Sequence, residues 1–268
     1  MNSMSHALNH RLLKLLSIMA CMGILTGCST GKSETFTFTA DLPPNFYYHA
    51  DAVYVPAKGE TCTVPGNKNT WVEYNRHWRK DYKNESTIAL YRTVSGCPLV
   101  ISSFRLKIYG IYGEDRDDYS GDNAIVVARE VIPTEFKKEF TPEGVSAFYG
   151  RCKWYFRTIG KTRVLRKLLM CKDADANGKL TLYNPWAPYT LNQLPGKTVR
   201  IKITLDHEEE PYMGNTWVKV PNGWKRCMGE GYEDQSAYCN NNHKDFSGYI
   251  MPDGKKCTIY PGCTEKKD

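Results

Sequence analysis

From Phe36 onward, apolar and polar residues alternate in short runs. Thr37 separates Phe36 from Phe38, and Arg200, Lys202 and Thr204 separate Val199, Ile201, Ile203 and Leu205. A period of two puts alternate side chains on opposite faces of a strand. The same period runs through "ISSFRLKIYGIY" (residues 101–112), and "NAIVVAREVI" (123–132) reads as a further strand. Between Cys152 and Cys171, aromatic and β-branched residues flank Ile159-Gly160-Lys161-Thr162, the pattern of a hairpin with its turn at the midpoint. "PTEFKKEFTPEGVSAFYG" has room for a short helix, interrupted by Pro142 and Gly144. The pattern therefore predicts an all-β chain.

Part of the pattern returns. "FTFTADLPPNFYYHADAVYVPAKGETC" (Phe36–Cys62) aligns without a gap on "IKITLDHEEEPYMGNTWVKVPNGWKRC" (Ile201–Cys227), 165 residues later. Tyr47 meets Tyr212, Val55-Pro56 meets Val220-Pro221, and Cys62 meets Cys227. Each copy reads as strand, polar loop and second strand. The second strand stops at a proline, which cannot donate to a ladder. The expected architecture is two disulfide-braced β-sandwich-like modules related by this repeat. Pro195-Gly196 marks the turn between them, giving a first β domain at 34–195 and a smaller one at 196–268 that repeats 36–97.

The first 27 residues stand apart. Arg11 and Lys14 precede an apolar run from Leu15 to Leu25, without an acidic residue. This is the n-region and h-region of an export signal, and the run is too short to span a bilayer as a helix. It ends in Leu25-Thr26-Gly27-Cys28, which is similar to a bacterial lipobox. That resemblance implies cleavage before Cys28, acyl chains (palmitate among them) on its sulfur and new amino group, and a tether over 28–33. Ser29 after the cysteine, rather than Asp, implies the outer membrane, facing the periplasm. An ordinary cleaved signal on a soluble protein is the alternative.

Loss of Arg11 and Lys14 takes the formal charge from +7 to +5. The basic residues are interleaved with acids, so no stripe for nucleic acid is expected. Ten cysteines become eight once Cys21 leaves with the signal and Cys28 takes lipid. An even count in an exported chain predicts four disulfides. The hairpin predicts Cys152–Cys171. The repeat predicts Cys62–Cys97 and, by equivalence, Cys227–Cys263, leaving Cys239–Cys257 nested inside. The counterparts of that last pair in the first copy are Tyr74 and Tyr91, a possible cross-strand pair.

Candidate chemistry is sparse. "DADANGKLTLYN" (173–184) opens like a calcium loop, but Asn184 stands where a bidentate glutamate belongs, and a tight polar turn is the competing reading. "GEDRDDYSGD" (113–122) is an acidic loop, able to hold a cation or only water. "DHEEEPY" carries His207 without the second histidine of a zinc motif. His49, His77, His207 and His243 have no partner at recognisable spacing, and no nucleophile, phosphate-loop or dinucleotide motif is present. No enzyme activity, metal or cofactor is expected. Arg157, Lys161, Arg163, Arg166 and Lys167 predict a basic finger at the hairpin tip, for lipid headgroups or for solubility. Arg76, Trp78, Arg79 and Tyr82 are the partner-binding candidates, being residue types that dominate interface energetics; a loop that covers the sandwich with its own aromatics is the competing reading.

Leu25–Cys28, "FYYHADAVYVPAKGETC", "YFRTIGKTRVLRKLLMC" and "PDGKKCTIYPGCTE" resemble the lipoproteins that enterobacteria encode beside type VI secretion lipase effectors. The resemblance implies an immunity protein that binds an incoming effector, often a phospholipase, and blocks its site. It carries over no inhibitory residue. An envelope scaffold or a glycan-binding lipoprotein is the alternative.

Overall fold

A computed structural model describes residues 34–64, 70–75, 83–231 and 234–264. These described residues belong to one compact unit. Its described part is all β, with a single 3-10 turn at Thr134–Phe136 where a short helix was expected. The signal segment and Cys28 lie outside the described residues.

The larger sheet runs in the order β17 (Lys256–Cys257), β16 (Tyr249–Ile250), β9 (Val164–Ala174), β8 (Val145–Ile159), β11 (Thr198–Leu205), β1 (Thr35–Asp41) and β4 (Glu85–Ala89), and β12 (Glu210–Pro211) also pairs with β8. A second sheet contains β10 (Trp186–Thr190), β7 (Tyr119–Arg129), β6 (Cys97–Ile111), β2 (Phe46–Pro56) and β3 (Trp71–Tyr74), with β5 (Tyr91–Val94) on β6. A third, small sheet is β13 (Trp217–Val220), β14 (Gly223–Cys227) and β15 (Phe246–Ser247).

Alternation explains the strands. In β8, Ser146, Phe148, Gly150, Cys152, Trp154 and Phe156 all face the interior, with outward residues between them. In β6, Leu99 and Ile101 are followed by Phe104, Leu106 and Ile108, so the apolar period slips by one residue. The register shifts there, and the Ser102 hydroxyl donates to the Val53 carbonyl at 3.1 Å. A bulge of this kind keeps both halves of a long strand facing one core.

Two cores result. The large one lies between the first two sheets. Phe38 packs against Phe104 with ring centroids 5.0 Å apart, and both are fully buried. The small one gathers Trp217, Tyr249 and Tyr260 around Phe156, on the far end of the β8–β9 hairpin. Tyr260 lies 4.2 Å from Phe156 between centroids. The division between modules falls later than residue 196: β11 lies between β1 and β8 in the large sheet, and the small module begins beyond it. The two repeated first strands are thus parallel neighbours, while the second strands enter different sheets.

That divergence corrects the disulfides. Cys62–Cys97 and Cys152–Cys171 are bonded as expected, the latter directly opposed across β8 and β9. Cys227 bonds Cys239, and Cys257 bonds Cys263, in place of the nested pairs. In the first copy Pro56 still pairs on β6, whereas Pro221 opens a two-residue turn straight into β14. The loop after Cys227 folds back so that the Cys239 N–H donates to Asn215 O, beside the Cys227 N–H on Thr216 O. Cys263 is brought to Cys257 by a turn that bonds its N–H to Ile259 O. Nor do Tyr74 and Tyr91 face each other: Tyr74 is opposite Ala50, and Tyr91 is opposite Val100. Cys62–Cys97 closes 35 residues and Cys257–Cys263 closes six. Loop-closure entropy then assigns roughly 4 kcal/mol to the first and roughly 2 kcal/mol to the second. Urea unfolding of Cys62→Ala/Cys97→Ala and of Cys257→Ala/Cys263→Ala should reproduce that order.

Candidate functional site

Two of the five cations of the expected basic finger are neutralised by carboxylates, and a third is buried. Arg166 pairs with buried Asp118 at 2.9 Å, and Lys167 with Glu209 at 2.8 Å. The Tyr260 hydroxyl donates to the same Glu209 carboxylate. Arg163 is buried and donates to Met228 O at 3.0 Å and Gly231 O at 2.8 Å. The tip is a peg that seats the small module.

The acidic loop has a structural task as well. Asp122 accepts the Cys171 N–H at 2.7 Å, and the Ser120 hydroxyl oxygen accepts the Leu169 N–H at 3.0 Å. Side chains of β7 thus take the place of a neighbouring strand along β9, stitching the two sheets together. Cys171 is fully buried, so Asp122→Ala strands its N–H away from water. The variant should lose roughly 1–3 kcal/mol in thermal or urea unfolding. Glu114→Ala in the same loop, at an exposed position, should change stability by no more than about 0.5 kcal/mol.

The 173–184 segment is closed by its own hydrogen bonds. Asp175 Oδ1 accepts the N–H groups of Asn177 and Lys179, both at 2.9 Å, and Asp173 accepts the Thr181 hydroxyl. Burial, set against the nearby Lys138 charge, raises the Asp173 carboxyl above its ordinary range. In "DHEEEPY", Glu209 and Glu210 hold lysines of β9 and β8, at 2.8 and 2.9 Å. Among the described residues no three His, Cys, Asp or Glu side chains lie together as a metal site requires. His207 and His243 are exposed and apart. Arg76, His77, Trp78, Arg79 and Tyr82 lie outside the described residues.

The feature that sequence reasoning missed is the outer face of the second sheet. In β2, Phe46, Tyr48, Ala50, Ala52 and Tyr54 point into the core, so Tyr47, His49, Asp51 and Val53 point out. Cross-strand register sets Tyr109, Lys107 and Arg105 of β6 opposite Tyr47, His49 and Asp51. Tyr47, although on this side of the sheet, is itself fully buried and stacks against the part-exposed Tyr109 with centroids 4.9 Å apart and planes at 15°, so it backs the surface ring and does not meet solvent. The His49 ring meets Tyr109 edge-on at 5.0 Å, and Tyr119 meets it at 5.6 Å. The Arg105 guanidinium lies 4.7 Å over the Trp71 ring, and Trp71 is 46% exposed. A shallow cup of about 230 Å³ opens between His49, Asp51, Arg105, Lys107 and Tyr109. Gly121 makes this packing possible: a Cβ there would stand 2.7 Å from the Tyr109 ring and from Ile108 O. Period two in β2 and β6 carried the signal, since the outward positions hold rings and cations where a plain solvated face would hold small polar residues.

Chemically, this face is a platform of fixed rings bordered by cations and a carboxylate. Such a surface suits contact and desolvation: Trp and Tyr give large buried area on binding at low cost in side-chain freedom, and Arg joins them among the residues that carry binding energy. Comparison of the chain with protein-family models, curated proteins and solved structures returns no match.

Proposed function

We propose that the mature chain is a lipid-anchored periplasmic protein of the outer membrane that binds a toxic protein effector and neutralises it, as an immunity protein against a type VI secretion phospholipase would. The observation that carries this reading is the outer face of β2, β3 and β6, where Trp71 under Arg105 and Tyr109 backed by buried Tyr47 are accessible, held on a frame braced by four disulfides. A rigid sheet presents the rings already ordered, so little conformational freedom is lost on binding. The signal segment and the lipobox-like Leu25–Cys28 support the location.

The test is neutralisation in the compartment concerned. Candidate effectors encoded beside this chain are directed to the periplasm with and without it. Growth should be rescued, and the purified pair should form a stoichiometric complex. If no candidate is bound or neutralised, the reading fails. One observation favours a second reading: the cup beside Tyr109 combines a ring with His49, Asp51 and Asn123, a combination that also suits a sugar. Calorimetry with cell-wall glycans separates the two, since a glycan-binding lipoprotein gives heat without any effector.

A further inference from the structure

A different patch occupies the opposite end of the second sheet. Val55 of β2 and Tyr91 of β5 are both cross-strand partners of Val100 in β6. The three side chains therefore form one apolar row on the outer face. Val55 is 41% exposed and Tyr91 47% exposed. Beside the row, Val131 in the loop after β7 is 82% exposed. A hollow of about 390 Å³ separates Val131 and Leu191 from Tyr91 and Val100, with Lys58 at its rim. Lys58 bonds Glu130 at 2.9 Å across open solvent, so its ammonium is available to headgroup phosphates at little cost.

The place of this patch identifies its occupant. Leu90, next to Tyr91, donates its N–H to Glu34 O at 2.7 Å. Glu34 is the first described residue, and Cys28 precedes it by six. A fully extended chain of that length spans only ~20 Å. If Cys28 carries lipid, this end of the sandwich is held within that distance of the bilayer. The rest of the molecule extends the other way: β8 starts at this end and runs 15 residues to the peg under the small module. That is roughly 45 Å of strand. Exposed valines, one half-exposed tyrosine and a lysine at a surface held against lipid are the composition of an interfacial contact.

We infer that Val55, Val100, Tyr91 and Val131 form a bilayer-resting surface. Phospholipid covers this end of the sandwich, and the ring platform around Tyr109 and the small module stand away from the membrane. The inference rests on the reading of Cys28 as lipidated, and the experiment keeps the two apart.

A photoreactive benzophenone amino acid is placed in the full chain at Val131, at Tyr91 or, as a distal control, at Tyr238, which is also part-exposed at 41%. The protein is purified from membranes, reconstituted in vesicles of phosphatidylethanolamine and phosphatidylglycerol, floated, illuminated and examined by mass spectrometry. The expected result is flotation of all three, with phospholipid adducts at Val131 and Tyr91 and none at Tyr238. Flotation with no adduct at Val131 or at Tyr91, or with equal adducts at Tyr238, overturns the orientation and leaves the anchor intact. Failure to float overturns the anchor, and the orientation with it.

Discussion

Alkaline solution should unfold this protein cooperatively, with stability level up to about pH 10 and falling beyond it. The cause is a set of tyrosines folded into the interior. Burial pushes the Tyr189 phenol up to about 12, its bond to Ser146 at 3.0 Å opposing the shift only in part. Burial also raises Tyr54, Tyr249 and Tyr260, and for Tyr260 the neighbouring Glu209 carboxylate adds to the effect. In the unfolded chain these phenols ionise near pH 10; in the folded chain they keep their protons. Above that pH the folded state binds more protons, so stability falls as pH rises; below it both states are protonated and nothing is lost. Tyr189 alone accounts for roughly 3 kcal/mol between pH 10 and its folded value. Arg226 works in the other direction. Burial, with Arg163 nearby, holds its guanidinium down to about 10, so its charged form is the one the fold disfavours. Its contribution grows with pH, but one arginine opposes four tyrosines. The part of the phenolate absorbance that comes from the buried rings and the far-UV circular dichroism, followed together, should change in one transition, and Tyr189→Phe should move that transition to higher pH. Complete phenolate titration near pH 10 with the β signal intact would show that base reaches these rings in the folded state.

The second large effect concerns the outer face. Trp71→Ala/Arg105→Ala removes one ring and the cation lying over it. Both side chains are exposed, so the loss to the free protein is limited to about 0.5–1 kcal/mol of cation–π contact. In a complex with an effector, each is of a type whose truncation costs about 2 kcal/mol at the centre of an interface. Together that is a drop in affinity of about a thousandfold. Titration calorimetry against an effector that the neutralisation assay identifies measures it, and the thermal midpoint of the free variant serves as the control. Affinity within about twofold of the parent would remove this face from the interface.

Much of the frame was legible from residue order. β8 announces itself by unbroken alternation from Ser146 to Phe156, and the Cys152–Cys171 bridge follows from the turn at Gly160. The repeat located β1, β2, β11 and β13, because short-range periodicity survives in both copies. It misplaced the last two disulfides because sequence equivalence does not fix where a chain goes after its proline: Pro56 stays in a ladder, and Pro221 turns at once. The outer platform was present in the alternation of β2 and β6 but emerges only when Tyr109 is set against Tyr47 by register, a long-range fact. The acidic loop misled for the same reason, since the partners of Asp118 and Asp122 lie about 48 residues ahead, on β9.

The stitching of β9 by Ser120 and Asp122 has one more consequence. An edge whose amide groups are open is a template on which a second molecule can add a strand, and repeated addition builds fibrils. Here the Leu169 and Cys171 amides are occupied by side chains of β7, and that of Asp173 by Tyr183 O. That flank of the larger sheet is therefore closed to self-assembly by residues that, read in order along the chain, look like nothing more than a polar loop.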